Sequence, residues 1–201
     1  TARALGVMRK LKILAPGDLD LRVRLAENLL AGGADRREAG AEWLAAIELA
    51  LELKSDRLDK VIGAAQKLLS SDWEWRLGCA RLRGKRAAPE AAAGQWRRLA
   101  EEASAAEAWE VAAEAADAGL EFDEQDVGLR EGRVEACRRL SRYEKAVEDL
   151  RWLAARMESE GDGEQCEKYL ETAVELAPES PQLLESLGRA QVTAGRPKDA
   201  A

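Results

Sequence analysis

The chain contains no histidine. That removes, together, the commonest general base near neutral pH and the commonest metal ligand. Nucleophilic chemistry would then rest on Lys or a carboxylate as base, and no Ser or Cys stands out beside one. Cysteine is scarce too: Cys79, Cys137 and Cys166 are odd in number, far apart and without metal-ligand or redox spacing. Such a set fits a reducing, cytoplasmic setting and small apolar core positions rather than a disulfide framework. Aromatic residues make up 4% of the chain and there are five prolines, so strand-formers and helix-breakers are both few. No apolar run approaches the ~20 residues of a membrane span. The longest candidate, Trp43 to Leu53, is interrupted by Glu48 and Glu52. Basic residues are no majority either: 31 Lys and Arg face 38 Asp and Glu, a net charge of −7. That balance argues against nucleic acid or an anionic membrane surface as partner.

What is present is helix-forming. Ala, Leu, Glu and Arg dominate, and interleaved Glu and Arg suit solvated helix faces supported by i,i+4 pairs. The pattern predicts an all-α chain with helices over 2–14, 19–31, 35–53, 56–70, 72–84, 89–103, 105–119, 126–140, 143–158, 164–177 and 181–194, and a further start at 197. Breaks are expected at Pro16-Gly17, Gly32-Gly33, Pro89, Gly161-Asp162-Gly163, Pro178 to Pro181 and Gly195 to Pro197. Asp18, Ser55, Asp72, Ser104, Asp126 and Ser180 stand where helix N-caps are useful.

The helices repeat. Near the C-terminus, Leu184, Leu187-Gly188, Gly195 and Ala200 fall on the W-x2-L-G…A-x3-F…P spacing of a 34-residue repeat. Leu150, Leu153, Ala154, Met157, Gly161, Cys166, Leu170, Ala173 and Pro178 occupy the same slots one repeat earlier. Over roughly 146–201 the chain resembles the tetratricopeptide family. The resemblance implies about 11–12 antiparallel helices stacked as a right-handed α-solenoid, with a partner segment held on its inner surface. It does not extend to the Lys/Asn/Arg clamp with which some members hold a partner's C-terminal carboxylate. The equivalent slots carry Val23, Arg24, Glu27, Trp75, Arg76, Cys79, Glu131 and Glu135.

A second period runs through the whole chain. Ala4, Met8, Leu11 and Pro16 match Cys166, Leu170, Ala173 and Pro178, 162 residues or three times 54 apart. Trp43, Trp96 and Trp152 recur in similar contexts and are expected to share one buried slot. Leu25-Ala26, Leu77-Gly78 and Leu187-Gly188 open comparable helices, with Arg133-Val134 as a degenerate fourth. The expected organisation is a single helical-repeat domain of three-helix units, 17–71, 72–125 and 126–180, with partial units 1–16 and 181–201. Irregular two-helix repeats are the alternative. The pattern reads as part of a longer protein, and a solenoid end that exposes an apolar face is a route to self-association.

No motif for chemistry stands above this background. Acidic pairs such as Glu101-Glu102 are solvated surface in so acidic a chain. The segment Gly78 to Lys85 imitates a phosphate loop but continues with Arg86 in place of Ser or Thr, and lies on a helix. No cofactor or metal is implied. The remaining candidates are arginines on the opening helices, Arg24, Arg76, Arg83, Arg138, Arg139 and Arg189, together with Trp75. Trp73 and Trp75, two apart on a helix, cannot face the same way, so one is a candidate exposed anchor; Trp and Arg are the residues enriched at binding hot spots. The competing expectation is that these arginines pair with neighbouring Glu. The function expected is a non-catalytic scaffold for a protein or peptide segment. The alternative is a regulatory or substrate-positioning region of a larger multidomain enzyme or signalling protein.

Overall fold

The computed structural model describes residues 2–32, 36–69, 71–84 and 87–193, without the side chains of residues 2 and 66–68. Among the described residues the regular structure is eleven α-helices and no strand. They are α1 (Ala2–Leu14), α2 (Leu19–Ala31), α3 (Arg36–Glu52), α4 (Leu58–Leu69), α5 (Trp73–Gly84), α6 (Pro89–Ala105), α7 (Trp109–Leu120), α8 (Val127–Arg139), α9 (Tyr143–Glu160), α10 (Gly163–Leu176) and α11 (Pro181–Thr193). The helix expected from 197 lies outside the described residues, as do Gly33, Lys85, Arg86 and the expected break at Gly195 to Pro197. No described helix is long and apolar enough to cross a membrane.

The chain divides into two compact units, Thr1–Arg86 and Ala87–Ala201. In the first, α1 packs on α2, α2 on α3, and both α4 and α5 on α3. In the second, each helix packs on the next from α6 to α11, and α6 also touches α8.

Three aspartates start helices in the same way. The side chains of Asp18, Asp72 and Asp126 accept from the backbone N–H of Leu21, Trp75 and Leu129 at 3.0, 3.1 and 2.9 Å. Each satisfies a donor that helix geometry leaves open, worth ~1 kcal/mol. They stand at a constant step of 54 residues, 18 to 72 to 126, and the next step lands on Ser180, directly before α11. Asp162 caps α10 likewise, accepting from Gln165 N–H at 3.0 Å. Two of the expected caps are corrected. Ser104 lies inside α6, and Ser55 accepts from Arg57 N–H in the turn before α4.

Helix ends explain the Ser104 error. Gly161 ends α9 at φ +81, with Gly161 N–H on Glu158 O and Asp162 N–H on Met157 O, the paired closure that a left-handed residue permits. Lys54, Glu107 and Ser141 make the same closure after α3, α6 and α8, at φ 49, 56 and 57. These three ends carry no glycine, so the α6–α7 boundary falls at Glu107 rather than near 104.

The core follows the same register. Trp43 of α3 and Trp96 of α6 each sit seven residues into their helix and are fully buried. The residue seven into α9 is Leu150, also buried, whereas Trp152 is half-buried with the Arg130 guanidinium 4.1 Å from its ring centroid. Trp152 is therefore corrected: it does not share the slot of the other two. Volume is exchanged across the neighbouring helix. A Cβ on Gly119 of α7 would lie 2.7 Å from Leu129 Cδ1 and 3.0 Å from Trp96 Cβ. The equivalent of Gly119 in α10 is Ala173, where Leu150 stands in place of the Trp. The pair Leu25-Ala26 corresponds in helix position to Cys79-Ala80, two residues beyond the expected Leu77-Gly78. Cys79, Cys137 and Cys166 are free, buried thiols, and burial pushes that of Cys79 up to about 11.

Candidate functional site

Of the seven candidates, Arg24, Trp75, Arg76 and Arg83 belong to the first unit and Arg138, Arg139 and Arg189 to the second. Arg24 is exposed on α2 and Arg83 near the end of α5. Arg76 is half-buried over the Trp73 ring, 4.4 Å from its centroid, and burial pushes its pKa down. Trp75 is corrected outright. It is 4% exposed, inside the cluster of Trp43, Ile47, Val61 and Leu69. The reason is its register: it stands three residues after the Asp72 cap, where α8 and α11 bury Leu129 and Leu183. An indole in that slot is core, and it offers no anchor to a partner.

In the second unit, Arg138 and Arg139 end α8 and share one carboxylate. Arg139 Nε donates to Glu135 Oε1 at 2.8 Å, and Arg138 Nη1 lies 3.8 Å from Glu135 Oε2. The hydrogen bond to Glu135 holds the Arg139 pKa up. For these two the expected pairing with a nearby Glu holds, yet both stay exposed, where solvent screens such pairs. The aromatic partner that sequence reasoning missed is Trp109. It opens α7, half-buried, with the Arg139 guanidinium 5.2 Å from its ring centroid. Tyr143, 45% exposed, opens α9 just beyond the left-handed Ser141, and its hydroxyl donates to Ser141 Oγ at 3.4 Å. Ser141, Arg142, Tyr143, Glu144 and Lys145 line an open hollow of about 400 Å³.

This patch is chemically mixed. Trp109 has Arg139 over its ring, with Glu135 and Glu107 near that guanidinium, and Tyr143 shares its hollow with Arg142 and Glu144. A polyanion would meet as many carboxylates as guanidiniums there, whereas a folded or extended protein segment offers both signs and apolar groups. Sequence position gave no signal for Trp109, because its neighbour in space, Arg139, lies 30 residues away in the chain.

Beneath the patch is a buried ion network. Asp149 of α9, fully buried, accepts from Arg133 Nε and Nη2 at 2.7 and 2.6 Å and from Arg130 Nη1 at 2.9 Å. Arg133 Nη1 also donates to Asp117, which takes Lys145 as well at 2.7 Å. Burial pushes the Arg133 pKa down, but its hydrogen bonds to Asp149 and Asp117 outweigh that and hold it up. This network positions α8 against α7 and α9, and with them the ends that carry Trp109, Arg139 and Tyr143. The first unit has a relative of it: Glu42 of α3 is buried beside Lys12 and Arg22.

Arg189, exposed on α11, lies 4.0 Å from Glu185 and lines a separate groove of about 200 Å³ between α9, α10 and α11. Among the described residues no group of three or more acidic or thiol side chains is arranged to hold a metal ion. No protein-family model matches the chain, and no curated protein matches it closely enough to support an assignment.

Proposed function

We propose that this chain is a non-catalytic protein-binding scaffold of tetratricopeptide-like type, in which three-helix units stack as a right-handed solenoid in the cytoplasm. The 54-residue step of Asp18, Asp72 and Asp126, each capping the opening helix of a unit, supports the three-helix unit. The partner is a protein segment that docks on the second unit across Trp109, Arg138, Arg139 and Tyr143. One observation carries this reading: the exposed Arg139 guanidinium lies 5.2 Å from the ring centroid of the half-buried Trp109, across the packing of α7 on α8. Trp, Tyr and Arg are the residues in which interface energy concentrates, since each buries a large contact area and keeps a polar handle.

The test is a photo-cross-linking residue in place of Tyr143, with the labelled chain exposed to extract of its source cells. The expected result is a discrete protein adduct that disappears when Arg138→Glu and Arg139→Glu are added. The same label in place of Glu171, exposed on α10, gives the background. Identical adducts at both positions, or an adduct indifferent to the charge reversal, would refute the reading.

A further inference from the structure

The two successive α-helical wedges of the second unit are built on one plan, and comparing them exposes a missing charge. In the first wedge, α6, α7 and α8 meet. Arg97 of α6 bonds the side chain of Asp126, which also caps α8. That hydrogen bond holds the Arg97 pKa up. This wedge is closed at α8: α8 touches α6 and its Ala136 is fully buried, whereas the counterpart 54 residues on, Ala190, is half-buried.

The second wedge repeats this 54 residues later with α9, α10 and α11. The counterpart of Arg97 is Arg151, and the counterpart of Asp126 is Ser180, which carries no charge. Among the described residues no hydrogen bond or ion pair holds Arg151. The wedge is also open. A groove of about 200 Å³ runs along Ala154, Leu170 and Ala190, with Arg151 and Arg189 at its rim and Glu158 as its one lining carboxylate.

We infer that this groove binds an acidic, apolar-flanked segment of another protein, whose carboxylate pairs with Arg151 and takes the place that Asp126 holds in the preceding wedge. The floor of Ala154, Leu170 and Ala190 receives a small apolar side chain next to that carboxylate, and Arg189 supplies a second guanidinium. A guanidinium fork matches a carboxylate with two parallel donors, so the groove selects an acid over a neutral group. Residues 194–201 of the same chain carry Arg196 and Lys198 against one acid, Asp199, a net charge of the rim's own sign, so the acidic segment is assigned to another protein. The inference rests on the reading of the chain as protein-binding, but on none of the residues of the α7–α9 patch.

The probe is a fluorescein-labelled dodecapeptide of alternating aspartate and leucine, followed by anisotropy against the full chain, with lysine–leucine and serine–leucine peptides as comparisons. The aspartate peptide is expected to bind best, and Arg151→Glu to weaken it by about tenfold or more, the loss of one charged hydrogen bond. Ser180→Asp restores the acid of the preceding wedge, so it is expected to weaken the peptide by a similar factor while leaving helicity and melting temperature intact or improved. Arg138→Glu with Arg139→Glu is expected to leave this affinity unchanged. The inference is overturned if the three peptides bind alike or not at all. It is equally overturned if Arg151→Glu and Ser180→Asp have no effect, or if the Arg138 and Arg139 variant alone abolishes binding. Those outcomes leave the cross-linking result at Tyr143 standing or falling by itself. Self-association of the chain that is lost in Arg151→Glu would also overturn it, by making a second copy the occupant.

Discussion

Asp149→Asn changes two atoms' chemistry and almost no volume, so its cost isolates the buried network. The carboxylate is fully buried and takes three charged hydrogen bonds, two from Arg133 and one from Arg130. Neutralising it leaves two nearly buried guanidiniums short of a counter-charge. Removing one partner of a buried pair costs roughly 3–5 kcal/mol. The lower end applies here, because Arg133 keeps Asp117 and Arg130 keeps the Glu124 carbonyl, to which its Nη2 donates at 2.9 Å. A loss of ~3 kcal/mol corresponds to a fall of roughly 6–12 °C in melting temperature for a chain of this size. The repeat register supplies the rescue. Arg133 stands where α2 and α11 carry Leu25 and Leu187, so Arg133→Leu places a native-like residue in the slot. Replacing both members of a buried pair is often close to neutral. The double variant is therefore expected to be more stable than the sum of the singles by ~2 kcal/mol. Urea unfolding followed by fluorescence reads this out, with Trp152 and Trp96 reporting on the second unit. A cost below ~1 kcal/mol for Asp149→Asn, or strict additivity in the cycle, would refute the reasoning.

Three further outcomes follow from the same geometry. Gly119→Ala is expected to cost ~1–3 kcal/mol through overpacking, measured by chemical denaturation, and adding Trp96→Leu is expected to cost less than the two changes summed, since the pair then copies Ala173 and Leu150. Glu107→Gly relieves a side chain held at φ 56 and is expected to stabilise by about 0.5–1 kcal/mol in the same assay. Burial raises the Asp117 pKa, but hydrogen bonds from Lys145 and Arg133 outweigh it, and the net shift is downward. A depressed folded pKa gives stability that is complete above the unfolded value of about 4 and is lost as pH falls through the folded one. Asp117→Asn should therefore flatten the acid limb of a stability–pH curve below about pH 4 and leave its shape at neutral pH unchanged.

The helices were legible because this sequence punctuates them. Asp18, Asp126 and Pro181 sit at helix starts and Gly161 at an end, and those boundaries match the structure to within a residue or two. The α6–α7 boundary was not legible, because Glu107 adopts the left-handed conformation that glycine usually signals. The period of about 54 residues was visible in the Pro and Trp spacing, but following Trp from helix to helix misplaced the third member. The slot is defined by distance from the helix start, which picks Leu150 over Trp152. Reading Trp75 as a surplus aromatic failed for the same reason, since three residues into the opening helix is the position that α8 and α11 bury with Leu129 and Leu183. Arg133 and Asp149 were hidden because charge reads as surface. The signal was nonetheless present: Arg133 occupies a leucine slot, and Asp149 stands among Ala146, Leu150 and Leu153 on the apolar face of α9. Of the candidate patch, Arg138 and Arg139 were found and Trp109 was not, because only the packing of α7 on α8 brings them together.

The claim that this chain binds a protein through the α7–α9 patch is tested most directly by calorimetric titration of the cross-linked partner into the parent chain, into Trp109→Ala and into Arg138→Glu with Arg139→Glu. Helicity is checked as unchanged, and Glu171→Lys serves as a surface control. The account predicts that each patch variant loses ~2 kcal/mol of affinity, about thirtyfold, while the control binds like the parent. Equal affinity across all four proteins would contradict it.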